Sequence, residues 1–111
     1  ARNLTVPSLV FDEVDVGVGG GVAEIVGRLL RELGEHAQVL CITHQPQVAA
    51  QGHQHWQVHK IQGKDTTHTR IQSLDTGARV EEVARMLGGV EITESTLTHA
   101  REMLDKGQRV A

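Results

Sequence analysis

The chain predicts an α/β fold built on parallel strands. Three features carry that prediction. Two short apolar runs have the length of buried strands, an amphipathic stretch of helical period lies between them, and polar side chains suited to chemistry stand where each run ends. The first run, residues 8–11, passes straight into Asp12, Glu13 and Asp15. A glycine-rich loop follows at 17–21. Residues 22–33 then place Val22, Ile25, Val26, Leu29, Leu30 and Leu33 at i, i+3, i+4 spacing, and Gly34 stops the helix. Residues 38–43, "QVLCIT", form the second buried strand. Strand, helix and strand together have the size of one right-handed βαβ crossover.

The remaining elements follow in order. "QPQVAAQ" suits a short helix with Pro46 in its first turn. Residues 55–61 and 67–74 alternate in polarity around "QGKDT" and predict a β-hairpin. Residues 79–87 predict a helix ended by Gly88 and Gly89, and 93–104 another that begins near Thr93 or Ser95. Val83, Met86 and Leu87 share one face, as do Leu97, Ala100 and Leu104, and these faces are expected to pack on the sheet.

Composition bounds the function. The chain has 111 residues, one domain or part of one. Trp56 and Phe11 are its only aromatic residues of the Phe, Trp and Tyr set, so the core is aliphatic. A net charge of −3 argues against a nucleic-acid glove spread over the whole surface. Cys41 is a lone cysteine in an apolar run, which points to a reduced, buried thiol and a cytosolic home. No apolar run approaches the roughly 20 residues of a membrane span. The first residues, "ARNLTVPS", lack both an initiator Met and the apolar stretch of a signal peptide, so the chain is expected to be cut from something longer, or processed.

The acids suggest phosphate chemistry. In an open parallel sheet, ligands bind beyond the carboxyl ends of the strands. There, Asp12 can hold Mg²⁺, a hard cation that needs only one or two carboxylates. Glu13 can orient or deprotonate a water for in-line attack on a phosphate. The pattern of four apolar residues followed by Asp-Glu is that of a Walker B motif, set against the plain alternative of a solvated acidic turn. His44 ends the second strand. Adjacent parallel strands would bring it close to Glu13, where it can meet a γ-phosphate; the alternative is a surface histidine before a proline-capped helix.

Two further patterns compete. The glycines after the first strand approach the dinucleotide fingerprint G-x-G-x-x-G, but Val22 stands at its last position and three acids beside the loop would repel a pyrophosphate. His53, His55 and His59 share a parity and would share a strand face. A Zn²⁺ or Ni²⁺ site there is conceivable, yet no Cys or carboxylate completes it, so a polar strand edge is the better reading.

"LVFDEVD", "VLCITHQPQVAAQ" and "RVEEVARMLGG…ITESTLTHAREML" together resemble the C-terminal half of the ATPase head in the SMC-like class of ABC ATPases, and the resemblance covers nearly the whole chain. It implies a P-loop NTPase core with crossover helices, a hairpin and C-terminal helices. It implies that Asp12 is the Walker B aspartate on Mg²⁺, Glu13 the general base and His44 the switch histidine. The D-loop that meets the opposite active site would contain Asp15, Gly17, Gly19 and Gly20. The resemblance also implies a homodimer closed on two ATP molecules, coiled coils, DNA double-strand-break repair and recombination as the task, and a bacterial cytoplasm at the nucleoid as the place. Gly19 stands where this family is expected to carry serine, and Gly21 where a larger, often basic residue is expected. Neither G-x-x-x-x-G-K-[ST] nor an SGG signature occurs in the chain. The β- and γ-phosphates therefore lack their backbone cradle here, and ATP hydrolysis would need the N-terminal lobe. A non-catalytic interaction module remains the competing class.

Overall fold

The computed structural model describes residues 7–88 and 91–109. β1 (Ser8–Asp12) pairs in parallel with β2 (Gln38–Ile42), from Ser8 opposite Gln38 to Asp12 opposite Ile42. α1 (Gly20–Gly34) joins them. α2 (Pro46–Ala49) follows β2, with its proline at the start, where the missing N–H costs nothing. β3 (Trp56–Gln62) and β4 (Thr67–Ser73) form a separate antiparallel hairpin. α3 (Thr76–Gly88) and α4 (Glu94–Gln108) complete the order.

Helix ends differ from the expected ones for identifiable reasons. α1 begins at Gly20 rather than Val22, because Gly19 takes an extended backbone and serves as the N-cap without a side chain. The expected 17–21 loop therefore shortens, and Gly20 and Gly21 become the first turn. Asp75 starts α3 three residues before the expected 79, its Oδ1 accepting the Ala78 N–H at 2.8 Å. Gly89, expected to help end that helix, lies outside the described residues. Thr93 caps α4 in a reciprocal box with Thr96, as N-terminal orphan donors require, and the helix runs on to Gln108. β3 opens at Trp56, so His53 and His55 precede the strand and the expected shared histidine face does not form.

The core is helical. Ala50, Val83, Ala84, Ala100 and Leu104 are buried together, flanked by Val80, Leu87, Leu97 and Met103. α3 and α4 therefore pack on each other and on the end of α2, which corrects the expectation that they cover the sheet. α1 lies against α2 through its small residues: a Cβ on Gly27 would stand 3.1 Å from the Val48 Cα. Of its larger apolar residues, Val26 and Leu30 are half-buried and Val22, Ile25, Leu29 and Leu33 stay in solvent, Leu29 at 59% exposure. The parallel pair is open as well, with Val10 67% exposed beside Leu40 and Ile42. Two strands cannot bury both faces of a sheet, so the apolar character of these runs exceeds what the described residues cover.

Candidate functional site

The site is built where β1 and β2 end side by side. The Glu13 N–H donates to the Ile42 carbonyl at 2.8 Å, which extends the ladder by one bond past Asp12. Glu13 then turns with φ +51°, the only non-glycine residue with positive φ among those described. A left-handed backbone at such a residue costs on the order of 1–3 kcal/mol. The turn takes Glu13 out of the strand's alternation and sets its carboxylate at the mouth of the neighbouring strand. His44 Nε2 lies 2.7 Å from Glu13 Oε1. The imidazole is 82% exposed and the carboxylate 42%, so both face solvent and can reach a ligand. Asp12 is exposed at the last position of β1, opposite Ile42.

A second layer holds this arrangement. Asp15 is 1% exposed, and the Thr43 hydroxyl donates to its Oδ2. The same hydroxyl accepts the Gln45 N–H at 2.9 Å. Gln45 Nε2 reaches back to the Val18 carbonyl at 3.1 Å and the Asp15 carbonyl at 3.4 Å. The residues on both sides of His44 are thus tied to the loop after β1. Sequence reasoning named Asp15 but not Thr43 or Gln45. The signal that could have found them was their position flanking the histidine, with side chains able to bond both ways. Because the Asp15 carboxylate points inward, any contact this loop makes with a partner would run through its backbone and exposed neighbours. Burial pushes the Cys41 thiol above its ordinary pKa, and the Asp15 charge adds to the effect.

Of the loop glycines, Gly17 has φ +80° and needs the absence of a side chain. A Cβ on Gly19 would meet nothing within 4 Å, whereas one on Gly20 would approach Gln47 Nε2 at 3.1 Å. Gly20 therefore belongs to the α1–α2 contact as well as to the loop.

α2 is held at its carboxyl end by three other segments. Arg31 of α1 donates to the Gln51 carbonyl at 2.7 Å, and Arg79 of α3 to those of Ala49 and Gly52 at 2.9 and 2.5 Å. Gln108 Nε2 of α4 donates to Ala50 and Gly52 at 3.0 and 2.9 Å. Carbonyls orphaned at a helix end are satisfied here by cations and an amide, the favourable sign for that end of the dipole.

The chemistry of the donor set suits Mg²⁺ bound together with a phosphate. Among the described residues, no three His, Cys, Asp or Glu side chains gather into a metal cage. A cation that takes one carboxylate, waters and phosphate oxygens needs no cage. His53, one of the three histidines considered for a transition metal, instead pairs with Glu35 at 3.1 Å. No helix among the described residues is long and apolar enough to cross a membrane.

No family model matches the chain. Curated relatives do. The DNA repair protein RecN of Xylella fastidiosa Temecula1 is 54% identical over 96% of this chain and 19% of its own length. That of Vibrio cholerae is 53% identical over 94% of the chain, and that of Haemophilus influenzae 52% over 90%. The chain thus spans about a fifth of the length of the relatives it matches. One solved structure, from work on the structural biochemistry of ATP-driven dimerization and DNA-stimulated activation of SMC ATPases, superposes with a TM-score of 0.59 at 15% identity. It covers 78% of this chain and 51% of that one, and shows the shared fold. With relatives this similar along nearly its whole length, the chain matches the C-terminal part of RecN.

Proposed function

We propose that this segment is the C-terminal lobe of an ATPase head, and that it supplies the hydrolytic half of an ATP site in a DNA-repair protein. The observation that carries the reading is the Glu13–His44 pair, 2.7 Å apart at the ends of two parallel strands. On this reading the exposed Asp12 carboxylate holds Mg²⁺, which when bound neutralises phosphate charge. Glu13 accepts a proton from the attacking water, and its left-handed backbone fixes where that acceptor stands. His44 orients Glu13 and meets the γ-phosphate. The lock of Asp15, Thr43 and Gln45 keeps the two strand ends in register.

The P-loop comes from the N-terminal lobe, and the open apolar surfaces of β1, β2 and α1 support a seat for further polypeptide of that kind. Two such heads would close on two ATP molecules as a homodimer, with Gly17, Gly19 and Gly20 at the meeting surface, in the service of double-strand-break repair. The competing reading, a non-catalytic interaction module, draws on the same apolar surfaces.

Glu13→Gln in the full-length protein separates the two. Removal of a general base should lower Mg²⁺-ATP turnover by about 10²–10⁴-fold, with nucleotide-dependent dimers retained in light scattering. Unchanged turnover would refute the catalytic role and leave the module.

A further inference from the structure

We propose that the tip of the β3–β4 hairpin is a contact arm for the phosphate backbone of duplex DNA. Six of the ten Lys and Arg residues among those described are engaged: Arg28 and Lys106 with Glu24, Arg85 with Glu82, Arg109 with Asp105, and Arg31 and Arg79 on the carbonyls at the end of α2, while Arg101 stands alone on α4. Lys60, Lys64 and Arg70 have no carboxylate within salt-bridge distance among the described residues, and all three lie on one hairpin. Between Glu35 and Asp75 the only acid is Asp65. A chain of net charge −3 has therefore gathered three unpaired cations on one projecting ribbon. Clustering of this kind is the footprint of a polyanion partner.

The hairpin is divided along its length. At the root, Gln57 Nε2 donates to the buried Glu82 of α3 at 2.7 Å, and the exposed apolar Trp56, Val58 and Ile71 lie near that end, while a single apolar residue, Ile61 opposite His68, lies among the tip residues. Val58 stands opposite Ile71 in the register. Towards the tip every residue from Lys60 to Arg70 is exposed. His59 faces Arg70 and Lys60 faces Thr69 across the strands, so cations stand on both faces of the ribbon. Lys64 lies in the turn, closed by the Gly63 N–H on the Thr66 carbonyl at 2.7 Å. Thr66, Thr67 and Thr69 add hydroxyl donors of the kind that bond phosphate oxygens. A two-stranded ribbon also has the width that a DNA groove admits. The apolar root is suited to protein and the cationic tip to a strongly charged polymer in solvent.

The choice of DNA over another polyanion rests on the proposed repair function, while the cationic tip itself does not depend on ATP. The test uses the full-length protein without nucleotide and a fluorescently labelled duplex, with anisotropy read from roughly 50 to 200 mM salt. The variant carries Lys60→Glu, Lys64→Glu and Arg70→Glu, and a second carries Gln at all three positions in case charge reversal disturbs folding. A control carries Arg101→Glu and Arg109→Glu on and just after α4. Both hairpin variants should weaken binding by about tenfold or more and flatten the salt slope by up to ~2.7, about 0.9 for each phosphate left without its cation. The control should bind nearly as wild type, and Mg²⁺-ATP turnover of the hairpin variants without DNA should be unchanged. Wild-type affinity and slope in the Gln variant would overturn the inference. An equal loss in the control, or no duplex binding by the wild-type protein at low salt, would do the same. None of these outcomes touches the Glu13 test, whose failure would in turn leave the hairpin result standing.

Discussion

Gly107 offers the sharpest test of the packing. It is buried in the last turn of α4, where a Cβ would stand 2.6 Å from the Ala50 carbonyl oxygen and 3.2 Å from its carbon. The obstacle is backbone, so it cannot swing aside as a side chain would. Gly107→Ala gains about 1 kcal/mol in helix propensity. Against that, overpacking costs about 1–3 kcal/mol. Pushing Ala50 away also strains the 3.0 Å bond from Gln108 Nε2, worth roughly 1 kcal/mol. The balance is a loss of about 1–3 kcal/mol, or roughly 4–12 °C in Tm at ~4 °C per kcal/mol. Gly21→Ala is the matched comparison, because a Cβ there meets nothing within 4 Å. It should stabilise by about 0.5–1 kcal/mol. Melting curves of the two variants beside wild type should therefore move in opposite directions. If Gly107→Ala melted at or above wild type, the close approach of α4 to the end of α2 would be wrong.

Two other predictions concern titrating groups. Burial raises the Cys41 thiol pKa, with the Asp15 carboxylate as the second cause, so Asp15→Asn should speed alkylation by iodoacetamide near about pH 8.5; an unchanged rate would remove Asp15 from that environment. His55 is held below the ordinary histidine range, first by burial and then by Arg79, with Glu82 opposing. Its folded form favours the neutral ring, so its contribution to stability is full above about pH 6.5 and is lost as the pH falls through the lower folded value. His55→Gln should flatten that acid limb in denaturant titrations, and an identical limb would show that another group governs it.

The strand–helix–strand unit was legible because apolar runs and helical spacing are local signals. The closeness of Glu13 and His44 also followed from sequence, since parallel strands joined by one helix have few alternatives. The left-handed turn at Glu13 was not legible, for glutamate carries no preference that announces it. Asp15 stood in the quoted motif, yet its inward carboxylate depends on Thr43, which lies 28 residues away and whose hydroxyl gives no periodic signal. The expectation that α3 and α4 cover the sheet failed for a different reason. An amphipathic face shows that something apolar will be met but does not name it, and here the two faces met each other. The large apolar residues of α1 were correctly placed in a helix, but its close approach to α2 is made at Gly27, because a residue without a side chain lets backbones come together.

The way α2 is held has a consequence for genetics. A helix of four residues has no independent stability, and α2 starts two residues after His44. Its existence depends on Arg31, Arg79 and Gln108, which arrive from three different helices. On the function proposed above, a screen for loss of repair by the full-length protein should recover substitutions at these three positions together with those at Asp12, Glu13 and His44. Suppressors of a weak Arg79 allele should appear on α1 or α4, because whichever segment strengthens the grip on those carbonyls restores the ground on which the histidine stands.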